Sequence, residues 1–531
     1  MRRAFCYLFF LLLIGCKDDP APNSGPEFIT IRNPVTRYSG TTLTPEITVR
    51  FSEPIDHTSA SQKITMTDNV PLTLTFSNAD STITIQPTTP LKYFSKYSIL
   101  IDPSITSTTG KTMESNTFII NLITRIDPAD KFERISDEEL LDLVQKQTIR
   151  YFYDFAHPAS GMARERNTSG NTVTSGGTGF GIMAVIVGLE RNFIPRPNGI
   201  QHFNKIVSFL EKADRFHGAW SHWIDGSTGK VIPFSQKDNG GDLVETAFLV
   251  QGLLTLRQYL QPADTAGNNL INRINKLWTD VEWDWYRKNN ENVLYWHWSP
   301  NYNWDMNFAM YGYFEEQIAY VLAASSPTHS VPKIVYTNGY GKNGAIVKNN
   351  TYYNIKLPLE APAPLFWVHY SYLGMDPHFS DDYANYWEQN VNATKINHAY
   401  CIDNPKEYYG YSDICWGLTS SDGPAGYSAH SPTNDPGVIA PTAALSSFPY
   451  LPDESMKAMK FFYYTLGDKM WGEYGFHDSF SLSAGWVADS YLAIDQGPIV
   501  VMIENYRTGL LWELFMSAPE IQNGKMVLGI H

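Results

Sequence analysis

Three acidic segments have the residue types and spacing for proton transfer. The first reads DNGGDLVETAF over 238–248. Asp238, Asp242 and Glu245 fall at i, i+4 and i+7, which on a helix would project all three from one face. Clustered carboxylates repel, and repulsion combined with burial raises one pKa, which is how a carboxyl becomes a general acid near neutral pH. Acids in a first turn also complement the helix dipole, and Asp238 could simply be a cap. Glu245, a turn and a half inside, is poorly explained that way. The second segment, MYGYFEEQIAYVLAASSPTH over 310–329, holds the adjacent Glu315 and Glu316. On a helix they point about 100° apart, so only one can enter a common site. Glu315, set among Tyr311, Tyr313, Phe314 and Tyr320, is expected to be desolvated and therefore a proton donor, with Glu316 facing solvent. The third, YLAIDQGPIVVMIENYRTGLLW over 491–512, places Asp495 just before Pro498. Proline suits a first helical turn, so Asp495 reads either as an N-cap or as a carboxylate at the entrance of a cleft. Glu504 and Arg507, three apart, read as a structural pair.

Aromatic and histidine residues sit in what read as loops. Trp220-Ser221-His222-Trp223 and Trp296-His297-Trp298 are the densest runs, and all 14 tryptophans lie between Trp220 and Trp512. Flat aromatic faces stack on the C–H edges of sugar rings. No histidine pair has zinc spacing, and no glycine-rich phosphate loop or Gly-x-Ser-x-Gly elbow occurs. No metal or cofactor is expected. The net charge of −14 argues against nucleic acid and polyanionic substrates and suits a neutral ligand.

These residues need a scaffold, and the chain changes character along its length to supply one. Residues 27–125 alternate with period two: Ile47, Val49, Phe51; Leu72, Leu74, Phe76; Ile83, Ile85; Tyr97, Ile99, Ile101; Phe118, Ile120, Leu122. Such runs between turn residues predict a small antiparallel β-sandwich. It contains no tryptophan and no acidic cluster, so it reads as a spacer. From Ser136-Asp137-Glu138-Glu139, a capping box, the pattern is helical. Helices are expected near 179–191, 201–214, 240–260, 268–287, 308–324, 380–397, 437–449, 453–466 and 495–517, joined by long loops, with no strand–helix alternation to support a parallel sheet.

The first 15 residues read as a signal peptide: Arg2 and Arg3, then an apolar run from Phe5 to Ile14 too short to span a bilayer. Leu13-Ile14-Gly15-Cys16 resembles a bacterial lipobox, with lipid on Cys16, and the Lys17-Asp18-Asp19 that follows resembles a surface-export signal of Bacteroidota lipoproteins. Residues 16–26 form a tether. The expected location is the outer membrane, on its periplasmic or cell-surface face. Cys401 and Cys415 remain in a compartment that permits disulfides, and spacing alone leaves their pairing open.

Several segments together resemble the bacterial glycoamylase-like proteins, most closely glycoside hydrolase family 144. They include TSGGTGFGIMAVIVGLERN (174–192), GGDLVETAFLVQGLL (240–254), WHWSPNY (296–302), GYFEEQIAYVLAASSPTH (312–329), GLTSSDGPAGY (417–427) and LAIDQGPIVVMIENYRTGLLW (492–512). Residues 27–125 in turn resemble bacterial immunoglobulin-like modules. The resemblance implies an all-α (α/α)6 toroid over 137–531, behind the Ig-like sandwich, and inverting hydrolysis of β-1,2-glucan to sophorose-type oligosaccharides, endo action being preferred. Carried onto this chain, Glu315 is expected to be the acid and Asp495 the base, with Asp242 and Glu245 holding hydroxyls or relaying a proton. Asp238, Arg166, Trp220, His222, Trp296, Trp298 and Asp422 are the expected substrate contacts. Phe314 stands where the family commonly has asparagine. A monomer bound to a membrane by lipid is the expected state. A glycan-binding lipoprotein without turnover, or a hydrolase of another neutral β-glucan, is the alternative.

Overall fold

The computed structural model describes residues 28–531 apart from 115, 263, 264 and 361. The expected signal peptide, Cys16 and the whole tether lie outside the described residues. The chain divides into two compact units between Thr124 and Arg125.

The first unit is a sandwich of two sheets. One has the order Arg37–Thr41, Phe118–Thr124, Lys96–Ile101, Ile64–Met66; the other has Ile47–Arg50, Thr82–Pro87, Leu72–Ser77. Alternation does what period two requires: Ile47, Val49, Ile83, Ile85, Ile99 and Ile101 point inward and are enclosed. The expected purely antiparallel topology needs one correction. Arg37–Thr41 pairs in parallel with Phe118–Thr124, so the first sheet is mixed. The loop linking the first two strands carries the chain across to the other sheet instead of turning it back along the same one.

The second unit is helix packed on helix. Its first helix, Asp137–Tyr153, starts with the expected capping box: the Ser136 hydroxyl accepts from the Glu139 amide, and the Glu139 carboxylate accepts from the Ser136 amide. At the centre, Ser175–Glu190 packs against both Leu243–Tyr259 and Ala493–Arg507. All three are enclosed along nearly their whole length, so they are apolar on every side and not amphipathic. Two glycines set the closest approach. A Cβ on Gly179 would collide with the Phe248 carbonyl, and one on Gly252 with the Gly179 carbonyl.

Several expected helices are shorter than their patterns suggest. The one drawn over 308–324 is Gln317–Ser325, that over 437–449 is Pro441–Leu445, and that over 268–287 is Thr265–Thr279. Between them the connections fold into short hairpins, such as Trp223–Asp225 between Thr172–Thr174 and Val231–Ile232, or Gly241–Asp242 against His297–Trp298. Long connections pressed onto a core must satisfy their own backbone groups, and short ladders do so. The unit is therefore helical with β-hairpin connections, not purely α.

Glu504 and Arg507 do not pair with each other. Glu504 is enclosed and receives a two-pronged contact from Arg191 at 2.9 and 3.0 Å, while Arg507 reaches Asp142 and Glu138 on Asp137–Tyr153. Both ends serve helix-to-helix attachment, where a planar guanidinium can meet carboxylates squarely. Cys401 and Cys415 are buried free thiols, and burial pushes Cys401 up to about 12.

Candidate active site

The Gly241–Asp242 strand delivers the first acidic group. Its partner strand places His297 opposite Asp242, and the helix Leu243–Tyr259 begins at the next residue. Asp242 is the N-cap, its Oδ1 accepting from the Glu245 amide at 2.9 Å and from the Trp296 indole N–H at 2.9 Å. Its Oδ2 lies 3.1 Å from His222 Nδ1. Glu245, one turn in, accepts from the Gly176 amide at 2.8 Å and the Thr174 hydroxyl at 3.2 Å, while its other oxygen is 4.0 Å from His222 Nε2. Asp238 is not on the helix. It belongs to the loop before the strand and meets His297 Nε2 at 3.3 Å. The single-face reading therefore holds for neither Asp238 nor a pure helix: the helix starts too late, because the cap is Asp242.

The charges sort themselves. Burial alone would lower the His222 imidazole, but Glu245 and Asp242 outweigh it and carry it up to about 9, so it is a cation at neutral pH. Burial raises Asp242 as well, and the His222 contact more than reverses this, leaving it ionised. Burial and the Asp242 charge push Asp238 up to about 7, and burial raises Glu245. Among the described residues, Asp238, Asp242 and His297 form the one group whose potential ligand atoms lie within 4.8 Å of one another. A metal-bound histidine normally donates its second ring nitrogen to an acceptor. His297 Nδ1 is buried without one, so the trio reads as a proton network.

Glu315 and Glu316 precede the helix Gln317–Ser325, Glu316 being its N-cap position. The Ser371 hydroxyl pins this turn, donating to the Glu315 carbonyl and accepting from the Ile318 amide. Glu315 reaches the cleft wall, where burial, then the Glu245 and Asp242 charges, push it up to about 8. Glu316 does not face solvent. It is fully enclosed, neither carboxyl oxygen has a hydrogen-bond partner among the described residues, and burial pushes it far above the carboxylate range. The helical 100° argument failed because no helix is present at these two positions.

The cleft itself carries Glu245, Glu315, His222, Arg166 and Thr174 as polar groups, with Trp223, Phe234, Trp296, Phe366, Tyr370 and Tyr427 as aromatic faces. Trp296 lies nearly parallel to Phe314 at 5.9 Å, and Phe234 closes on His222 at 4.3 Å. Arg166 is held between Glu165 and Asp422, each at 3.1 Å. Asp422 thus stands behind the wall, also accepting from Ser490 Oγ at 2.5 Å.

Asp495 is not an N-cap. It lies in the first turn of Ala493–Arg507, enclosed behind the wall, and accepts from the Tyr370 hydroxyl at 3.2 Å. Tyr370 is the residue that lines the cleft there.

Two expected platforms are corrected. Trp220 is completely enclosed, its N–H donating to the Leu210 carbonyl and its ring covered by the Arg215 guanidinium at 4.2 Å. Trp298 is half-buried, makes T-shaped contacts with His217 and Trp285, and is not among the residues that line the cleft. A large indole in a short hairpin is as readily turned into the helices beneath as outward, and loop position alone does not choose. Conversely, Phe234 and Tyr427 stand in no tryptophan–histidine run, while Phe366 and Tyr370 flank Trp367-Val368-His369, a run whose spacing does not mark it as cleft wall.

Comparison with known proteins now bears on this geometry. The family model described as "Putative glucoamylase" matches residues 307–519, and a "Bacterial Ig-like domain" model matches 23–119. An exo β-1,2-glucooligosaccharide sophorohydrolase of Parabacteroides distasonis is 48% identical over 415 residues, 73% of this chain. The chain spans 58% of that relative's length. An endo-β-1,2-glucanase from Chitinophaga pinensis, solved with sophorotriose and glucose, is 54% identical with a TM-score of 0.74, covering 75% of this chain and 99% of its own. A β-1,2-glucanase structure from Parabacteroides distasonis is 38% identical with a TM-score of 0.73, covering 93% of this chain and 73% of its own.

Proposed function

The chain belongs to the glycoamylase-like family that includes the β-1,2-glucanases of glycoside hydrolase family 144, and from that membership we propose that it hydrolyses β-1,2-glucan with inversion. The observation that carries the reading is Glu315, a carboxyl on the cleft wall that burial and two neighbouring carboxylates keep protonated at neutral pH. It gives its proton to the glycosidic oxygen as the C1–O bond breaks. Asp495 is the base. Tyr370, which lines the cleft and donates to Asp495, links that carboxyl to the water that attacks C1 from the opposite face. Glu245 and the His222 cation, which Asp242 fixes from behind, hold sugar hydroxyls beside the acid. Trp223, Phe234, Trp296 and Tyr427 offer stacking faces, and the cleft presents no excess of cations that a charged glycan would need.

Endo action is the preferred mode, following the relative that matches over nearly its whole length. The helical unit is read as an (α/α)6 toroid, the Ig-like unit as a spacer, and the protein as a monomeric outer-membrane lipoprotein anchored through Cys16. Glycan binding without turnover is disfavoured, because buried carboxyls beside the cleft, Glu315 and Asp495 among them, add nothing to binding a neutral ligand. The test is reducing-sugar release from β-1,2-glucan beside other neutral β-glucans, with product lengths and the first anomer followed by NMR. Release of mixed oligosaccharides as the α-anomer supports the reading. No release from the 1,2-linked polymer, or an initial β-anomer, overturns it.

A further inference from the structure

Behind the cleft wall, the base has a neighbour that none of the preceding chemistry uses. Asp478 sits in the connection between the strands Gly475–Phe476 and Phe480–Ser481 and is enclosed. One of its oxygens, Oδ2, accepts from the Asp422 amide at 2.6 Å. One oxygen of Asp495, Oδ1, accepts from Tyr370 at 3.2 Å. The remaining oxygens, Asp478 Oδ1 and Asp495 Oδ2, are both buried and find no donor among the described residues. The two carboxyl side chains are direct neighbours, each shifting the ionisation of the other. Two carboxylates at that contact cannot both ionise, and an unpaired oxygen on each is satisfied by a single proton held between them.

We propose that Asp478 is a positioning residue for the hydrolytic base: it shares one proton with Asp495, and the singly charged pair accepts the proton of the attacking water. The inference rests on Asp495 being the base. Alone in this enclosed place, with one phenol as its donor, Asp495 would stay neutral and could take nothing. The O–H of a second carboxyl, donated to its free oxygen, stabilises the charge. The groups facing the pair agree with one net negative charge. Asp422 and Arg166 lie on the Asp478 side, with Glu165 beyond Arg166, and Tyr370 and Tyr427 lie toward the cleft. Burial raises both members, Asp478 to about 7 and Asp495 well above the usual carboxylate range.

The balance closes. Water oxygen bonds to C1 as the C1–O bond breaks, and the leaving oxygen takes the Glu315 proton. The displaced water proton goes to the pair, which becomes doubly protonated. Loss of that proton to solvent, and uptake of one by Glu315, restore the enzyme.

The experiment is the pH profile of kcat/KM on β-1,2-glucan for the full chain and for Asp478→Leu, Asp478→Asn and Asp495→Asn. Asp478→Leu removes the donor, so the acidic limb moves up by about one unit or more and kcat falls about 10–100-fold. Asp478→Asn restores a donor through its amide, keeping the limb within about half a unit and activity within about tenfold. A folded Asp478→Leu protein with the wild-type acidic limb overturns the proposal. Should that variant not fold, Asp478→Asn decides: retained turnover supports sharing, and a loss as deep as that of Asp495→Asn overturns it. Asp495→Asn with near wild-type activity would instead remove the base assignment itself.

Discussion

Glu315 and Glu316 are consecutive in the chain, yet the first reaches the cleft wall and the second is sealed beneath it with both oxygens unpaired. The pair therefore makes an internal control. Glu315→Gln keeps the shape but has no proton to give, and kcat is expected to fall about 10²–10⁴-fold with the circular dichroism unchanged. Glu316 is already neutral in the fold, so Glu316→Gln changes no charge and is expected to stay within a few-fold of wild type. An inactive Glu316→Gln beside a normal Glu315→Gln would reverse the assignment of the acid.

The alkaline limb of activity follows from the same carboxyl. Glu315 must be protonated to act, and its value of about 8 means that kcat/KM should hold below that pH and drop about tenfold per unit above it. Burial is the largest cause, and the Glu245 charge comes next among the groups that raise it. Glu245→Gln can still accept from the Gly176 amide but carries no charge, so the limb should move down by about half a unit to one unit. A limb that does not move would place Glu245 outside the field that Glu315 feels.

What the sequence disclosed and what it concealed divide by range. The Ser136–Glu139 box and the alternation of Ile47, Val49, Ile83 and Ile85 are local patterns, and both appear as expected. Asp242 and Glu245 stand out through their spacing with Asp238 on an expected helix face, and in the fold that local spacing becomes a cap and its first turn without Asp238. Asp478 had no such signal: a lone acid among serine and phenylalanine meets Asp495 only through folding, and Tyr370 meets Asp495 across 125 residues. Trp220 was misplaced because a hairpin indole can turn to either side, and the deciding contacts, Leu210 and Arg215, lie on a neighbouring segment. Glu316 was misplaced because the apolar run suggested a helix beginning several residues before Gln317.

Stability should decline toward alkaline pH. Glu315, Glu316, Asp238, Asp478 and Asp495 are all raised in the fold. A group raised on folding contributes stability that is complete below its unfolded value and is lost as pH rises through its folded one. For these carboxyls the window opens near pH 4 and extends through about 7 to 8 for the three with printed positions. His222, raised to about 9, adds to the loss at its upper end, while lowered Asp242 acts in the opposite sense and costs stability in acid. Tm is expected to fall between pH 5 and pH 9, and Glu316→Met, which removes a buried ionisable group at similar volume, should flatten that fall. A Tm that rises over this interval would contradict the raised carboxyls.

Two aromatic residues separate packing from binding. Trp220 is enclosed, so Trp220→Ala should cost about 3–5 kcal/mol of stability, read by denaturant unfolding. Phe234 is 50% exposed at the cleft and covers His222, so Phe234→Ala should raise KM several-fold with little change in the unfolding midpoint. If Trp220→Ala folded normally and lost only affinity, the indole would have to be a platform after all.

The proposed anchor depends on one atom. Cys16 carries the lipid in that reading, and the apolar run before it, Phe5 to Ile14, is too short to hold a bilayer as a spanning helix. Among the described residues no helix is long and apolar enough to cross a membrane. Cys16→Ala, expressed with its signal segment, is therefore expected to move the protein out of the membrane fraction. Its specific activity on β-1,2-glucan should be unchanged, because every residue assigned to the cleft lies beyond Thr124, in the second unit. Fractionation followed by assay of both fractions reads the two effects together. Persistence of the variant in the membrane fraction would remove the lipid anchor from the proposal and leave the catalytic assignment standing, whereas loss of activity from correctly folded soluble protein would mean that turnover depends on the anchor.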